Sequence, residues 1–249
     1  MTNLKNKIAV VTGGSRGIGR GIVSALAAEE VTVWAIARNA DGLAALEQEI
    51  NGVQTIAADV SLPDTASQTL REIRPNILVL NAGATPTMAP VHKQSWEQFS
   101  RVWDVDVKAT FHFGKEALLT PLPPGSVVII LSSGAAIGGS PLSGGYSGAK
   151  RTQWFLAKFL QAESDALNLG IRFMALLPNQ IIGTTELGHT ASSAYAAQQG
   201  ITKEKFLERF EGPLTAEAVG RGVVTLITDP AYQQGLAFTI NSQGLESLE

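Results

Sequence analysis

Thr12-Gly13-Gly14-Ser15-Arg16-Gly17-Ile18-Gly19 stands between the apolar run Ile8 to Val11 and a segment in which Ile18, Ile22 and Leu26 recur at helical spacing. The order is a buried strand, a glycine-rich turn and a helix. Glycine allows the tight backbone path and the close approach that a pyrophosphate requires, and the free amides at the positive end of a helix dipole favour an anion. In this setting Gly13, Ser15, Arg16, Gly17, Ile18 and Gly19 are expected to hold a dinucleotide.

The same rhythm continues outward from that turn. Further apolar runs lie at Val31 to Ala37, Thr55 to Ala58, Ile77 to Leu80, Val127 to Leu131, Ile171 to Leu177 and Leu236 to Ile240, with helical spacing between them at Leu43, Leu46 and Ile50 and at Phe155, Phe159 and Leu160. Near-continuous Val, Ile and Leu strands alternating with helices predict a parallel sheet covered on both faces, and right-handed crossovers make it doubly wound. The expected architecture is therefore α/β, with a single domain over residues 1–249. In such a sheet ligands sit beyond the carboxyl ends of the strands. The segment from Asn179 to Gly212 breaks the rhythm with short helices around Ala191 to Gln199 and Lys203 to Glu211, and it is expected to act as a substrate lid.

Composition narrows the function. With 19 basic against 22 acidic residues the net charge is -3, which offers no broad positive field for nucleic acid or an anionic membrane. The absence of cysteine removes disulfides, thiolate metal sites and thiol nucleophiles, and His92, His112 and His189 lack the spacing of a zinc motif, so no metal is expected. The polar start leads directly into a short apolar run, unlike a secretory leader, and no apolar stretch approaches spanning length. A cytoplasmic location is expected. Trp96, Trp103 and Trp154 lie in helical surroundings and are expected in the core or an interface.

An NAD site commonly carries an acid at the end of the second strand, where it accepts from the ribose 2'-hydroxyl. Here that place reads Ala35-Ile36-Ala37-Arg38-Asn39, without an acid. Arg38 offers a charged fork to a 2'-phosphate and Arg16 could approach the same group, so NADP(H) is the expected cofactor. Tyr146-Ser147-Gly148-Ala149-Lys150 begins a helical pattern thirteen residues after Ser133. Four-residue spacing puts the phenol and the ammonium on one face of a helix, where the cation favours the phenolate and equips Tyr146 for proton exchange with an alcohol or carbonyl. Ser133, at the end of the fifth strand, could hold the substrate oxygen.

From the glycine turn through Asp59-Val60 and Asn81-Ala82-Gly83 to Ser133, Tyr146 and Lys150, the order of motifs resembles the classical short-chain dehydrogenase/reductase family over nearly the whole chain. The resemblance implies a Rossmann-type fold, Tyr146 as acid/base, Lys150 on the nicotinamide ribose and Ser133 orienting substrate. It also implies that Asp59 and Val60 meet the adenine and that Asn81, Ala82 and Gly83 border the cofactor, with Pro178 and Ile182 contributing further contacts. Helices around 96 to 120 and 146 to 169 would build a homodimer or homotetramer. A strand-end cap is the plainer reading of Asp59.

Two departures stand out. Asp106 occupies the place where the family carries a catalytic asparagine, and Pro178-Asn179 replaces a proline-glycine pair, with Thr184 one position beyond the expected threonine. An ionised Asp106 near Lys150 would stabilise that cation and oppose the Tyr146 phenolate; the alternative is that Asp106 is protonated or neutralised by Lys108. The expected function is NADP(H)-dependent hydride transfer between nicotinamide and a carbonyl or alcohol; the alternative is a binding protein of regulatory or scaffold type that kept the fold and lost turnover.

Overall fold

A computed structural model of the chain describes residues 3–248. Among the described residues eight strands, β1 (Ile8–Thr12), β2 (Thr32–Ala37), β3 (Gln54–Ala57), β4 (Ile77–Leu80), β5 (Val127–Leu131), β6 (Arg172–Pro178), β7 (Ala237–Asn241) and β8 (Gly244–Ser247), form one sheet. Their spatial order is β3-β2-β1-β4-β5-β6-β7-β8. All neighbours pair in parallel except β7 and β8, which pair antiparallel. β4 and β5 are buried at every position, as their unbroken Val, Ile and Leu composition requires of central parallel strands. The eighth strand was not expected: Gly-Leu-Glu-Ser is short and mostly exposed, so it carries no run of apolar residues.

The helices are α1 (Gly17–Ala28), α2 (Ala40–Glu49), α3 (Pro63–Ile73), α4 (Trp96–Val102), α5 (Lys108–Leu119), α6 (Ala135–Gly138), α7 (Gly144–Ala166), α8 (Glu186–Gln199), α9 (Lys203–Leu207) and α10 (Ala216–Thr228). Alternate strand residues feed two cores. Val11, Val33, Ala35, Val79, Ile129 and Leu176 pack with Ile22 and Leu26 of α1, Leu43 of α2 and Val223 of α10. Val10, Ile36, Leu78, Ile130, Phe173 and Ala175 face the other way, onto Leu70 of α3, Phe113 of α5 and Trp154 and Leu160 of α7. The result is a three-layer, doubly wound sheet of Rossmann type in a single domain, as the alternating pattern predicts. Strand order reverses between β1 and β4, and the crevice at that switch point receives the loops after β1 and β4.

Two local features position the site. α4 does not run straight into α5: residues Trp103–Val107 form a π-helical turn between them, and such turns recur at functional sites because the extra residue re-aims side chains. The 179–212 segment carries α8 and α9, each started by a threonine cap, Thr185 accepting from the Gly188 amide and Thr202 from the Lys205 amide. Trp154 is buried as expected, whereas Trp96 is 72% exposed.

Candidate active site

The glycine turn is held from behind by the loop after β4. Thr12 Oγ1 accepts from the backbone amides of Asn81 and Ala82 at 3.0 and 3.1 Å, and Asn81 Nδ2 donates to the carbonyls of Thr12 and Gly13 at 3.1 and 3.3 Å. Gly13 and Gly17 adopt φ of 68° and 54°, the left-handed region that glycine enters without strain. A Cβ on Gly19 would run into the Gly13 carbonyl. α1 itself starts at Arg16 without a side-chain cap and without an acid in its first turn, so its leading amides remain available to an anion.

In front of this turn opens a cleft of about 490 Å³. Gly13, Ser15, Arg16, Gly17, Ile18, Gly19, Arg38, Asp59, Val60, Asn81, Ala82, Gly83, Asp106, Tyr146 and Lys150 all line it. An uncapped helix terminus behind a glycine cradle, with an arginine at one end and a lysine at the other, has the donor chemistry a phosphorylated dinucleotide needs. Thr184, Thr185, Glu186 and Leu187 close it from the side of α8; Thr184 stands one position beyond the threonine the sequence pattern leads one to expect, and the other three carry no local signal in the sequence. Pro178 and Ile182, expected as cofactor contacts, line the adjoining cavity instead.

Several residues have structural partners. Asp59 Oδ1 accepts from the Ser61 hydroxyl at 2.7 Å and the Ser61 amide at 2.9 Å. These bonds hold its carboxyl below the usual carboxylate range, with a smaller pull from Arg38. Asp59 therefore caps the loop after β3 and also faces the cleft. Arg16 forms an exposed ion pair with Glu186 at the start of α8, and Glu186 also accepts from Thr85 Oγ1 at 3.2 Å. The glycine turn and the start of α8 are thus tied across the cleft, and Arg38 lines the same cleft without an ion pair among the described residues.

At the inner end, Lys150 Nζ donates to the Leu131 carbonyl at 3.1 Å and lies 3.1 Å from Asp106 Oδ2. Both side chains are buried. The approach to Oδ2 is an ion pair off the angle of a hydrogen bond, while Oδ1 accepts from the Ala84 amide at 2.8 Å. Burial is the largest single influence on Lys150 and works against its charge, but the attractions of Asp106 and Tyr146 together outweigh it, and the ammonium pKa is held above the ordinary lysine value. The alternative partner for Asp106 is not used: Lys108 pairs with Asp104 at 3.1 Å. The π turn supports this arrangement, since the Asp106 carbonyl accepts from Thr110 Oγ1 at 2.9 Å and Gln153 Nε2 at 3.2 Å.

Lys150 Nζ lies 5.5 Å from the centroid of the Tyr146 ring, on the same face of α7. Ser133 accepts from the Ala135 amide at 3.2 Å at the mouth of α6. Ser133 and Tyr146 both line a second cavity of about 520 Å³, walled by Met88, Ile182, Tyr195, Phe206 and Phe210. Tyr146 borders both spaces. Among the described residues no cluster of metal-ligating side chains occurs and no helix is long and apolar enough to cross a membrane.

The sequence profile described as short chain dehydrogenase matches residues 7–196. The chain is 30% identical over 152 residues to 2-dehydro-3-deoxy-L-rhamnonate dehydrogenase (NAD(+)) of a Sphingomonas strain, a match covering 58% of this chain and 60% of that protein. It is 25% identical to carbonyl reductase [NADPH] 2 of Sus scrofa, over 91% of each. The NAD+-bound structure of a xylitol dehydrogenase superposes with a TM-score of 0.83 at 18% identity, covering 95% of this chain and 97% of that one. With a profile match over most of its length and the family's motifs in one crevice, this chain belongs to the classical short-chain dehydrogenase/reductase family, oxidoreductases that act on hydroxyl and carbonyl groups with a nicotinamide cofactor.

Proposed function

We propose that this protein is an NADP(H)-dependent dehydrogenase/reductase of a carbonyl or alcohol substrate, with Tyr146 as its acid/base. The observation that carries this reading is the position of Tyr146, whose ring borders both the cleft and the second cavity with the Lys150 ammonium 5.5 Å from its centroid. The turn of Gly13, Ser15, Gly17, Ile18 and Gly19 would hold the pyrophosphate, Arg38 the 2'-phosphate, Asp59 and Val60 the adenine, and Asn81 to Gly83 the flank. The nicotinamide, when bound, supplies or accepts the hydride. Lys150 has three N–H donors; Leu131 takes one and Asp106 draws a second, leaving one for a ribose hydroxyl. Tyr146 exchanges the proton at its phenol oxygen, and Ser133 hydrogen-bonds the substrate oxygen.

The lid assignment for 179–212 rests on α8 and α9, which wall the second cavity. A homodimer or homotetramer in the cytoplasm completes the proposal. Support for assembly comes from the outer faces of α4, α5 and α7, where Trp96, Phe111, Phe155 and Phe159 are exposed and the last two stack at 6.2 Å.

The test is Tyr146→Phe, which removes the exchangeable proton and little else. Turnover across a carbonyl panel should fall about 100- to 10,000-fold, the range for general acid–base catalysis, while NADPH binding by titration stays within a few-fold of the parent. Near-parental turnover in the variant would remove Tyr146 from the mechanism. NADPH binding by the parent without turnover on any carbonyl would favour the scaffold alternative.

A further inference from the structure

The second cavity runs from Ser133 and Tyr146 to Arg209, and Arg209 is the one charged side chain among the described residues that line it. The wall between is aromatic. Tyr195 and Phe206 stack with centroids 5.9 Å apart and planes 7° from parallel, and Phe210 meets Phe206 edge-on at 6.2 Å. The other polar groups that line it are neutral, and three of them bond one another: Ser140 Oγ lies 2.5 Å from both Ser143 Oγ and the Tyr195 hydroxyl. An apolar body of ring size would therefore desolvate well here, and a volume of about 520 Å³ falls in the range that encloses small organic ligands.

Arg209 is held for recognition. Its guanidinium carbon sits 4.0 Å over the centroid of Phe206, and Nη2 donates to Gln199 Oε1 at 2.6 Å. One face and one edge are thus occupied, while the remaining N–H groups of the fork have no carboxylate partner within ion-pair distance among the described residues. Arg16 and Arg20, by contrast, are each paired with a glutamate. A pre-oriented guanidinium without a counterion, at the exposed mouth of an otherwise uncharged cavity, suits a planar anion.

We propose that the preferred substrate carries a carboxylate or equivalent anion at the far end of a ring-bearing apolar body, and that Arg209 selects it. The inference rests on the oxidoreductase reading above. The test uses 4-acetylphenyl-substituted acetate, propionate and butyrate beside their methyl esters, which keep the ketone and ring and lose the charge. For the best chain length, kcat/KM with NADPH should favour the acid over the ester by about 10-fold or more, the effect of one hydrogen bond to a charged group, and added salt should shrink the ratio. Arg209→Met should bring the acid-to-ester ratio toward one, with Arg209→Lys in between. Equal rates for acid and ester in the parent, or the same ratio in parent and Arg209→Met, would overturn the proposal. Calorimetric binding of the same acids and esters to the NADPH-loaded protein decides the point independently, because failure of every ketone to turn over would strike the hydride-transfer reading and leave the binding ratio to judge Arg209.

Discussion

Asp106→Asn isolates the buried ion pair, because asparagine keeps the shape and the acceptor for the Ala84 amide while deleting the charge that faces Lys150 at 3.1 Å. At that separation, with an effective dielectric of about 20, the attraction is about 5 kcal/mol, comparable to the several kcal/mol needed to bury an ammonium. The pair therefore adds little net stability, but half of it is costly. Removing one partner of a buried pair costs about 3–5 kcal/mol, and in a chain of this size each kcal/mol lowers Tm by about 2–4 °C. The pH dependence identifies the cause. In the parent the folded pKa of Lys150 lies above the unfolded value, so its contribution is fully present below pH about 10.5 and is lost only as pH rises through the folded pKa. Without Asp106, burial, the largest influence on Lys150, is opposed only by Tyr146 and the folded pKa falls below the unfolded one, so the fold is penalised at neutral pH and recovers as pH climbs toward 10.5. The deficit of Asp106→Asn, measured by urea unfolding from pH 6 to 10, should shrink by about 1.4 kcal/mol per pH unit once the lowered pKa is passed. A deficit that stays constant across this window, or no deficit at all, would refute the electrostatic account of the pair.

Arg38→Ala should weaken NADPH binding about 10-fold and leave NADH almost untouched, measured by fluorescence titration; equal losses would show that Arg38 does not read the 2'-phosphate. Gly83→Ala would place a Cβ 2.8 Å from Asp106 Oδ2, and the forced shift should lower stability by about 1–3 kcal/mol by urea unfolding. Replacing Phe155 and Phe159 together by serine should reduce the assembled mass seen by light scattering; an unchanged mass would place the interface elsewhere.

Much of this was readable in the chain because it is local. The glycine turn, the seven parallel strands and the Tyr146–Lys150 spacing each lie within a few residues, where conformational preference and periodicity speak directly. What was not readable depends on meetings between distant segments. Lys108 is the basic neighbour of Asp106 in sequence, yet the π turn aims Asp106 at Lys150 across the helix pair. Arg16 looked free for phosphate until α8 brought Glu186 onto it. The Arg209 site joins α8, the end of α9 and the loops after β5 and β6, and no stretch of the sequence contains its pattern.

The π turn at Trp103–Val107 also says how this site can be lost. It works as a phase shifter: the extra residue sets the angular offset between α4 and α5, and each residue in an α-helix accounts for about 100° of rotation. Deleting a single residue from this turn would let one continuous helix form with every side chain still present, yet would swing Asp106 about a quarter-turn or more off its line to Lys150. The number of residues in this turn, as much as their identity, therefore sets the line from Asp106 to Lys150.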